Sequence, residues 1–183
     1  RTHVSAMTLP GEHFTDPALF RRELEAIHFS MWLYAARADE LAQPGSFVTR
    51  SFADAEVLLV RDEQGGLRAF HNVCRHRGTR LCTESTGAFP GSIQCPYHSW
   101  TYALDGRLIG APHMDEVPHF RKEDYPLHAV HADVWDGHIF INLSDSPRPL
   151  HSQVASLPDK FRPWGMKDLR LVHRTVYDVA ANW

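Results

Sequence analysis

Residues 71 to 102 read HNVCRHRGTRLCTESTGAFPGSIQCPYHSWTY, and two cysteine–histidine pairs within them limit the fold more than any other feature. Cys74 stands two residues before His76, and Cys95 three before His98. Each pair needs only a short loop to aim both side chains one way, so the fold must bring two loops face to face across the intervening residues 77–94. Two thiolates and two imidazoles gathered like this suit either a tetrahedral zinc or a two-iron, two-sulfide cluster, and ligand types alone leave both open. The chain holds 13 histidines, so a single histidine carries little weight and only spacing selects ligands. His71, His113, His119, His128, His131 and His138 lack paired spacing and read as surface or strand histidines.

The rest of the chain predicts what carries those loops. Asp16 is a helix N-cap and Pro17 a first helical residue, which predicts a helix from about Pro17 to Phe29. After the turn residues Pro44 and Gly45, short apolar segments alternate with turn signals: SFVTRSF, EVLLV, LRAFHNV, SIQC, SWTYAL, RLIGA, LHAVHADVW and HIFINL. This texture predicts a compact antiparallel sheet protein. Asp105-Gly106 and Asp136-Gly137 each fall between two such segments and tolerate the positive backbone angles of tight hairpins. Pro147, Pro149, Pro158 and Pro163 mark a linker. The alternating segment LRLVHRTVYDVAANW then predicts a final strand. The expected division is an N-terminal helical segment over 1–43, a cluster-bearing domain over 44–146, and over 147–183 a linker with the start of a further domain.

At 183 residues there is room for one sizeable domain, or a small one and the beginning of another. A formal net charge of -3 with no long basic run argues against nucleic acid as a partner. Apolar runs such as Val57–Val60 are far too short to span a bilayer and no leader opens the chain, so no membrane and a cytoplasmic location are expected. Three cysteines are too few for a disulfide scaffold, which favours thiolate ligation for two of them. Cys82 is left over and is expected to be a small buried residue.

Cys-x-His followed by Cys-x-x-His on a sheet domain resembles the Rieske pattern. FHNVCRHRGTRLC and CPYHSWTYALDGRL resemble the N-terminal part of the large subunit of Rieske non-haem iron (ring-hydroxylating) oxygenases, and similarity runs from the DPALFRRELEAIHFSMW helix to DVAANW. The resemblance implies a mainly β fold: a Rieske-type antiparallel β-sandwich with an N-terminal helix, followed by the first strand of an α+β catalytic domain whose remainder is not in this sequence. It also implies a [2Fe–2S] cluster, with Cys74 and Cys95 on one iron and His76 and His98 on the other. The spacer around TESTGAFPGS is longer than usual in the family and is read as a surface-loop insertion. Respiratory-type Rieske proteins carry an additional cysteine in each loop, where this sequence has Thr79 and Tyr97, and a cluster-bonding serine where it has Trp100. Loss of donors to the sulfurs predicts a low-potential centre.

The implied function is that of a terminal oxygenase component. Electrons pass from a reductase or ferredoxin through this cluster to a mononuclear non-haem Fe(II) in the missing domain. That iron activates O2 for hydroxylation or demethylation of a small organic substrate, with quaternary amines ranked ahead of aromatic acids. No catalytic residue is expected within this chain, and the family implies a homotrimer closed head to tail. The alternatives are a stand-alone Rieske ferredoxin and a zinc-stabilised binding module. Arg75, Arg77 and Arg80 read either as a docking patch for an acidic donor or as solvated loop residues. Trp100 and Tyr102 are expected to pack beneath the cluster loop.

Overall fold

A computed structural model describes residues 8–180 of the chain. Helix α1 (Pro17–Ala26) starts as the sequence predicts, with the Asp16 carboxylate accepting the Ala18 N–H at 2.7 Å. It stops short of Phe29, and a 3-10 turn follows at His28–Ser30. The Ser30 hydroxyl donates back to the carbonyls of Ala26 and Ile27 at 2.9 and 3.0 Å, supplying the local side-chain bonding that competes with helix continuation.

Ten strands follow: β1 (Leu33–Arg37), β2 (Ser46–Phe52), β3 (Ala55–Arg61), β4 (Leu67–His71), β5 (Thr86–Ala88), β6 (Ser92–Gln94), β7 (Thr101–Ala103), β8 (Leu108–Gly110), β9 (His131–Trp135) and β10 (His138–Asn142). They form three antiparallel sheets in the orders β1-β10-β9, β4-β3-β2-β5 and β6-β7-β8. The central sheet explains the unbroken apolar run of EVLLV, because it is buried on both faces. Val57 and Leu59 pack with Ala36, Ile139 and Ile141 on one side. Leu58 and Val60 pack on the other with Phe70, Ile93, Tyr102 and the two ligand-candidate cysteines.

Both Asp-Gly hairpins form as expected. In the β9–β10 turn Asp136 and Gly137 both adopt positive φ, 47° and 80°, the backbone of a two-residue hairpin, and His138 pairs with Trp135 directly behind it. Two strands lie where none was expected. Strand β1 falls within the segment expected to be helical and pairs Leu33 to Arg37 with Ile141 to His138. Strand β5 falls in the TESTGAFPGS spacer and adds an edge to β2, opposite Ser46–Val48.

The proline-marked linker holds short helices, α2 (Leu150–Gln153) and α3 (Leu157–Phe161), with Pro158 in the first turn of the latter. The expected final strand is not there: residues 169–180 join no sheet among the described residues, and Val172, Val176, Tyr177 and Val179 are 97, 79, 81 and 72% exposed. Alternation supplies one apolar face, but a strand also needs a partner for its N–H and C=O groups, and no described sheet edge pairs with it. The last residues of that segment, Ala181–Trp183, lie outside the described residues. No helix among the described residues is long and apolar enough to cross a membrane.

Candidate metal centre

Two loops carry the four candidate ligands. The first leaves β4 and the second links β6 to β7, and their backbones make the same turn. In the first, the Cys74 N–H donates to the Thr79 carbonyl at 2.8 Å and the Cys74 carbonyl accepts from Gly78 at 3.0 Å. In the second, the Cys95 N–H donates to the Trp100 carbonyl at 2.8 Å and the Cys95 carbonyl accepts from Ser99 at 3.1 Å. Each reverses through a left-handed residue, Gly78 at φ 71° and Ser99 at φ 57°. The first loop is fastened to the core by Asn72, whose buried amide donates to the Cys82 carbonyl at 2.7 Å and accepts its N–H at 3.0 Å. Cys82 is thereby buried by its own backbone bonding, as expected, and burial pushes its thiol pKa up.

This scaffold sorts the candidate ligands by depth. Cys74 and Cys95 are each 2% exposed, within an apolar cluster that includes Ile93, Trp100, Leu104 and Leu108. Burial pushes the Cys95 thiol up, and its contact with Cys74 pushes the same way. His76 is exposed and His98 half-buried, with their rings 4.7 Å apart. Thus the thiols lie inside and the imidazoles at the surface. Desolvation holds His76 below the usual imidazole range, reinforced by the neighbouring His98 and Arg77, which keeps its nitrogen lone pair free.

Whether this donor set fits zinc or a two-iron cluster turns on convergence. A structural zinc asks four donors to meet at one point. Among the described residues no three of the His, Cys, Asp and Glu side chains do so. The four instead form a thiol pair and an imidazole pair, and a Rieske cluster asks two cysteines of one iron and two histidines of the other. The arrangement therefore fits the two-iron cluster.

Two aromatic residues frame the pairs. Tyr102 is fully buried, with its hydroxyl 3.3 Å from Cys74 Sγ while accepting the Arg75 N–H at 3.1 Å. A Cys74 thiolate has no proton to give, so toward a metal-bound Cys74 the phenol would be the donor while its oxygen accepts the Arg75 amide. Burial, with the hydrogen bond to Cys74 behind it, pushes the Tyr102 pKa well above its ordinary value, so the group stays a donor. Trp100 is 2% exposed and stacks on His76 at 4.8 Å and 10°. Both residues pack beneath the loops as expected, but these individual contacts were not foreseen.

The arginines do not form one free patch. Arg75 is 3.4 Å from the Pro126 carbonyl and 3.3 Å from His128 Nδ1, and Arg80 pairs with Glu56 at 3.1 Å. Arg77 lies over the Tyr97 ring at 5.7 Å. Of the unpaired histidines, His138 contacts Arg37 and His131 reaches the Asp145 carbonyl, both away from the ligand loops.

The family model described as Rieske [2Fe-2S] domain matches residues 31–121. Over its full length the chain is 34% identical to the glycine betaine monooxygenase oxygenase subunit of Pseudomonas aeruginosa, covering 42% of that protein. It is 35% identical over 180 residues to the carnitine monooxygenase oxygenase subunit of Acinetobacter baumannii, covering 97% of this chain and 48% of that one. Among solved structures, the apo form of the quaternary ammonium Rieske monooxygenase CntA superposes with a TM-score of 0.92 at 34% identity, over 97% of this chain and 52% of that one. Naphthalene 1,2-dioxygenase from Rhodococcus sp. bound to indole follows with a TM-score of 0.76 at 30% identity, over 81% of this chain and 34% of that one. The chain thus spans about half the length, or less, of the relatives it matches.

Proposed function

We propose that the chain is the part of a Rieske oxygenase that carries the [2Fe-2S] domain, and that Cys74 and Cys95 hold one iron of the cluster and His76 and His98 the other. The observation that carries this reading is the sorting of thiols into the core and imidazoles to the surface. Buried thiolates favour a bound cationic centre over solvent. The imidazole edge lies at the surface, so an iron held there would be within reach of a partner's redox centre. When bound, such a cluster accepts and releases one electron. The residues around it adjust that exchange: the Tyr102 hydroxyl donates toward the Cys74 sulfur, which favours the reduced state. Thr79, Tyr97 and Trp100 stand where respiratory-type proteins have a disulfide and a further donor, so the centre is a low-potential one suited to accepting electrons.

The whole protein is then a terminal oxygenase component. It takes electrons from a reductase or ferredoxin and delivers them through this cluster to a mononuclear non-haem iron, in a domain beyond this chain, that activates O2. Similarity to betaine and carnitine monooxygenase subunits favours a quaternary amine as substrate, and hydroxylation or demethylation as the reaction. A cytoplasmic homotrimer passing electrons between subunits is the expected assembly; the structure described for one CntA crystal concerns inter-subunit electron transfer in that protein. Residues 1–43, 44–146 and 147–183 serve respectively as N-terminal segment, cluster domain and connection to the catalytic domain, with β1 lending the first segment to the cluster domain's sheet. A free ferredoxin would not need a match to oxygenase subunits that continues through the connection.

Electron paramagnetic resonance of the anaerobically purified full-length protein, before and after dithionite reduction, tests the reading when joined to iron, sulfide and zinc analysis. A reduced signal of low average g-value is expected, with a ferric signal from the second site. Stoichiometric zinc without sulfide would overturn it.

A further inference from the structure

We infer that Trp100 is a positioning residue of the centre: its indole fixes the ring plane of His76 and so ties the two ligand loops into one unit. The inference rests on the ligand assignment above. His76 projects from an irregular loop and is exposed, and no hydrogen bond from a described residue orients its ring. Metal-bound imidazoles are ordinarily held by a hydrogen bond to the second ring nitrogen. Here a face contact takes that place: the indole lies 4.8 Å from the imidazole and within 10° of parallel. Stacking restrains rotation of the ring without engaging either nitrogen. One nitrogen stays available for iron and the other for solvent.

The platform is itself fixed. Trp100 is 2% exposed and is gripped edge-on by Phe120 at 5.7 Å and Tyr125 at 5.6 Å, and these two rings stack on each other at 5.0 Å. Its backbone belongs to the opposite loop, where its carbonyl closes the turn around Cys95. Its side chain restrains the ligand of one loop while its main chain completes the other. A shift of either loop would therefore move both irons' ligands together.

Full-length, cluster-loaded protein carrying Trp100→Phe or Trp100→Leu, with 15N-labelled histidine, provides the test. The readouts are the g-values of the reduced cluster and the histidine nitrogen couplings by electron–nuclear double resonance, normalised to iron and sulfide content. Wild-type protein is expected to show two well-defined nitrogen couplings. In Trp100→Leu one of the two should broaden or split, with a spread in g-values, while Trp100→Phe should restore the narrow pattern. Should Trp100→Leu fail to retain the cluster, Phe120→Leu and Tyr125→Leu loosen the platform without touching a ligand and should broaden the same coupling. Couplings in the leucine variants that superpose on wild type would overturn the inference, as would equal broadening of both nitrogens. Wild-type protein lacking two-nitrogen coupling would instead overturn the ligand assignment.

Discussion

The loop around Cys74 and the loop around Cys95 make one backbone turn from different materials. Each cysteine donates its N–H to the carbonyl five residues ahead and accepts an N–H from four ahead. The cysteines therefore occupy corresponding places, and both end buried to the same degree. The histidines do not correspond: His76 leaves the turn one residue earlier than His98, and the two rings meet from different points at 4.7 Å. Supports differ as well. The first loop is held by directed hydrogen bonds from Asn72 and Tyr102, the second by its own backbone, an exposed hydrogen bond from the Thr101 hydroxyl to the Ser99 carbonyl and the packing of Trp100 against Phe120 and Tyr125. The pair shows that a repeated main-chain turn can fix the sulfurs while histidine position and loop support vary around it.

The comparison breaks most completely at the sulfurs, where the loops are equivalent. Cys74→Ser and Cys95→Ser should each abolish cluster incorporation to the same extent, read as iron and sulfide content and loss of visible absorption. Retention of a cluster in one variant alone would mean that the loops do not share the iron symmetrically. The next effect should fall on one loop only. Asn72→Ala strands the Cys82 N–H and carbonyl in the core and should cost about 2–4 kcal/mol, measured by urea unfolding of the loaded protein. Among the described residues the second loop has only an exposed bond of this kind, the Thr101 hydroxyl donating to the Ser99 carbonyl at 3.0 Å, so a comparable loss there on removing a polar residue would contradict the division.

Smaller still is the contrast at the turning residues. Gly78 at φ 71° has open space where a methyl group would project, so Gly78→Ala should cost about 1 kcal/mol from backbone strain alone. Ser99 already bears that strain at φ 57°. Ser99→Gly relieves it but gives the unfolded chain more freedom, and the two contributions should leave stability within about 0.5 kcal/mol of wild type. Paired thermal unfolding of the two variants checks the sign.

How much of this was legible in the sequence follows from the range over which each feature is determined. The four candidate ligands and the two Asp-Gly hairpins depend on residues a few positions apart, so their spacing marks them in the sequence itself. Strands β1 and β5 were invisible because LYAAR and TGA carry no alternation of their own; each becomes a strand by pairing with β10 or β2. Residues 169–180 are the converse, a strand pattern with no partner among the described residues. The same limit applies within the site. Arg75, Arg77 and Arg80 look alike in sequence, yet His128, Tyr97 and Glu56 each claim a different one. The buried position of Tyr102 could be anticipated from its apolar surroundings, but not its reach to a cysteine 28 residues earlier.

That reach supplies the finest distinction between the loops, because among the described residues only the Cys74 sulfur has a side-chain hydroxyl donor. Donation toward a cluster thiolate stabilises the more negative, reduced state, so Tyr102→Phe should lower the midpoint potential. A donor contributing ~1 kcal/mol to a one-electron couple corresponds to roughly 40 mV, and the shift should lie in the tens of millivolts. The pH dependence carries the sign of the ionisation. Burial and Cys74 raise the folded-state pKa of Tyr102 above its ordinary value, so the phenol keeps its proton and its hydrogen bond through the region where an exposed tyrosine would ionise. The difference between wild type and Tyr102→Phe should therefore stay constant from neutral pH to about pH 10 in a protein-film redox titration. A difference that vanishes within that range would place the phenol proton elsewhere than on the line to Cys74, and the two sulfurs would then be equivalent in their donors as well as in their turns.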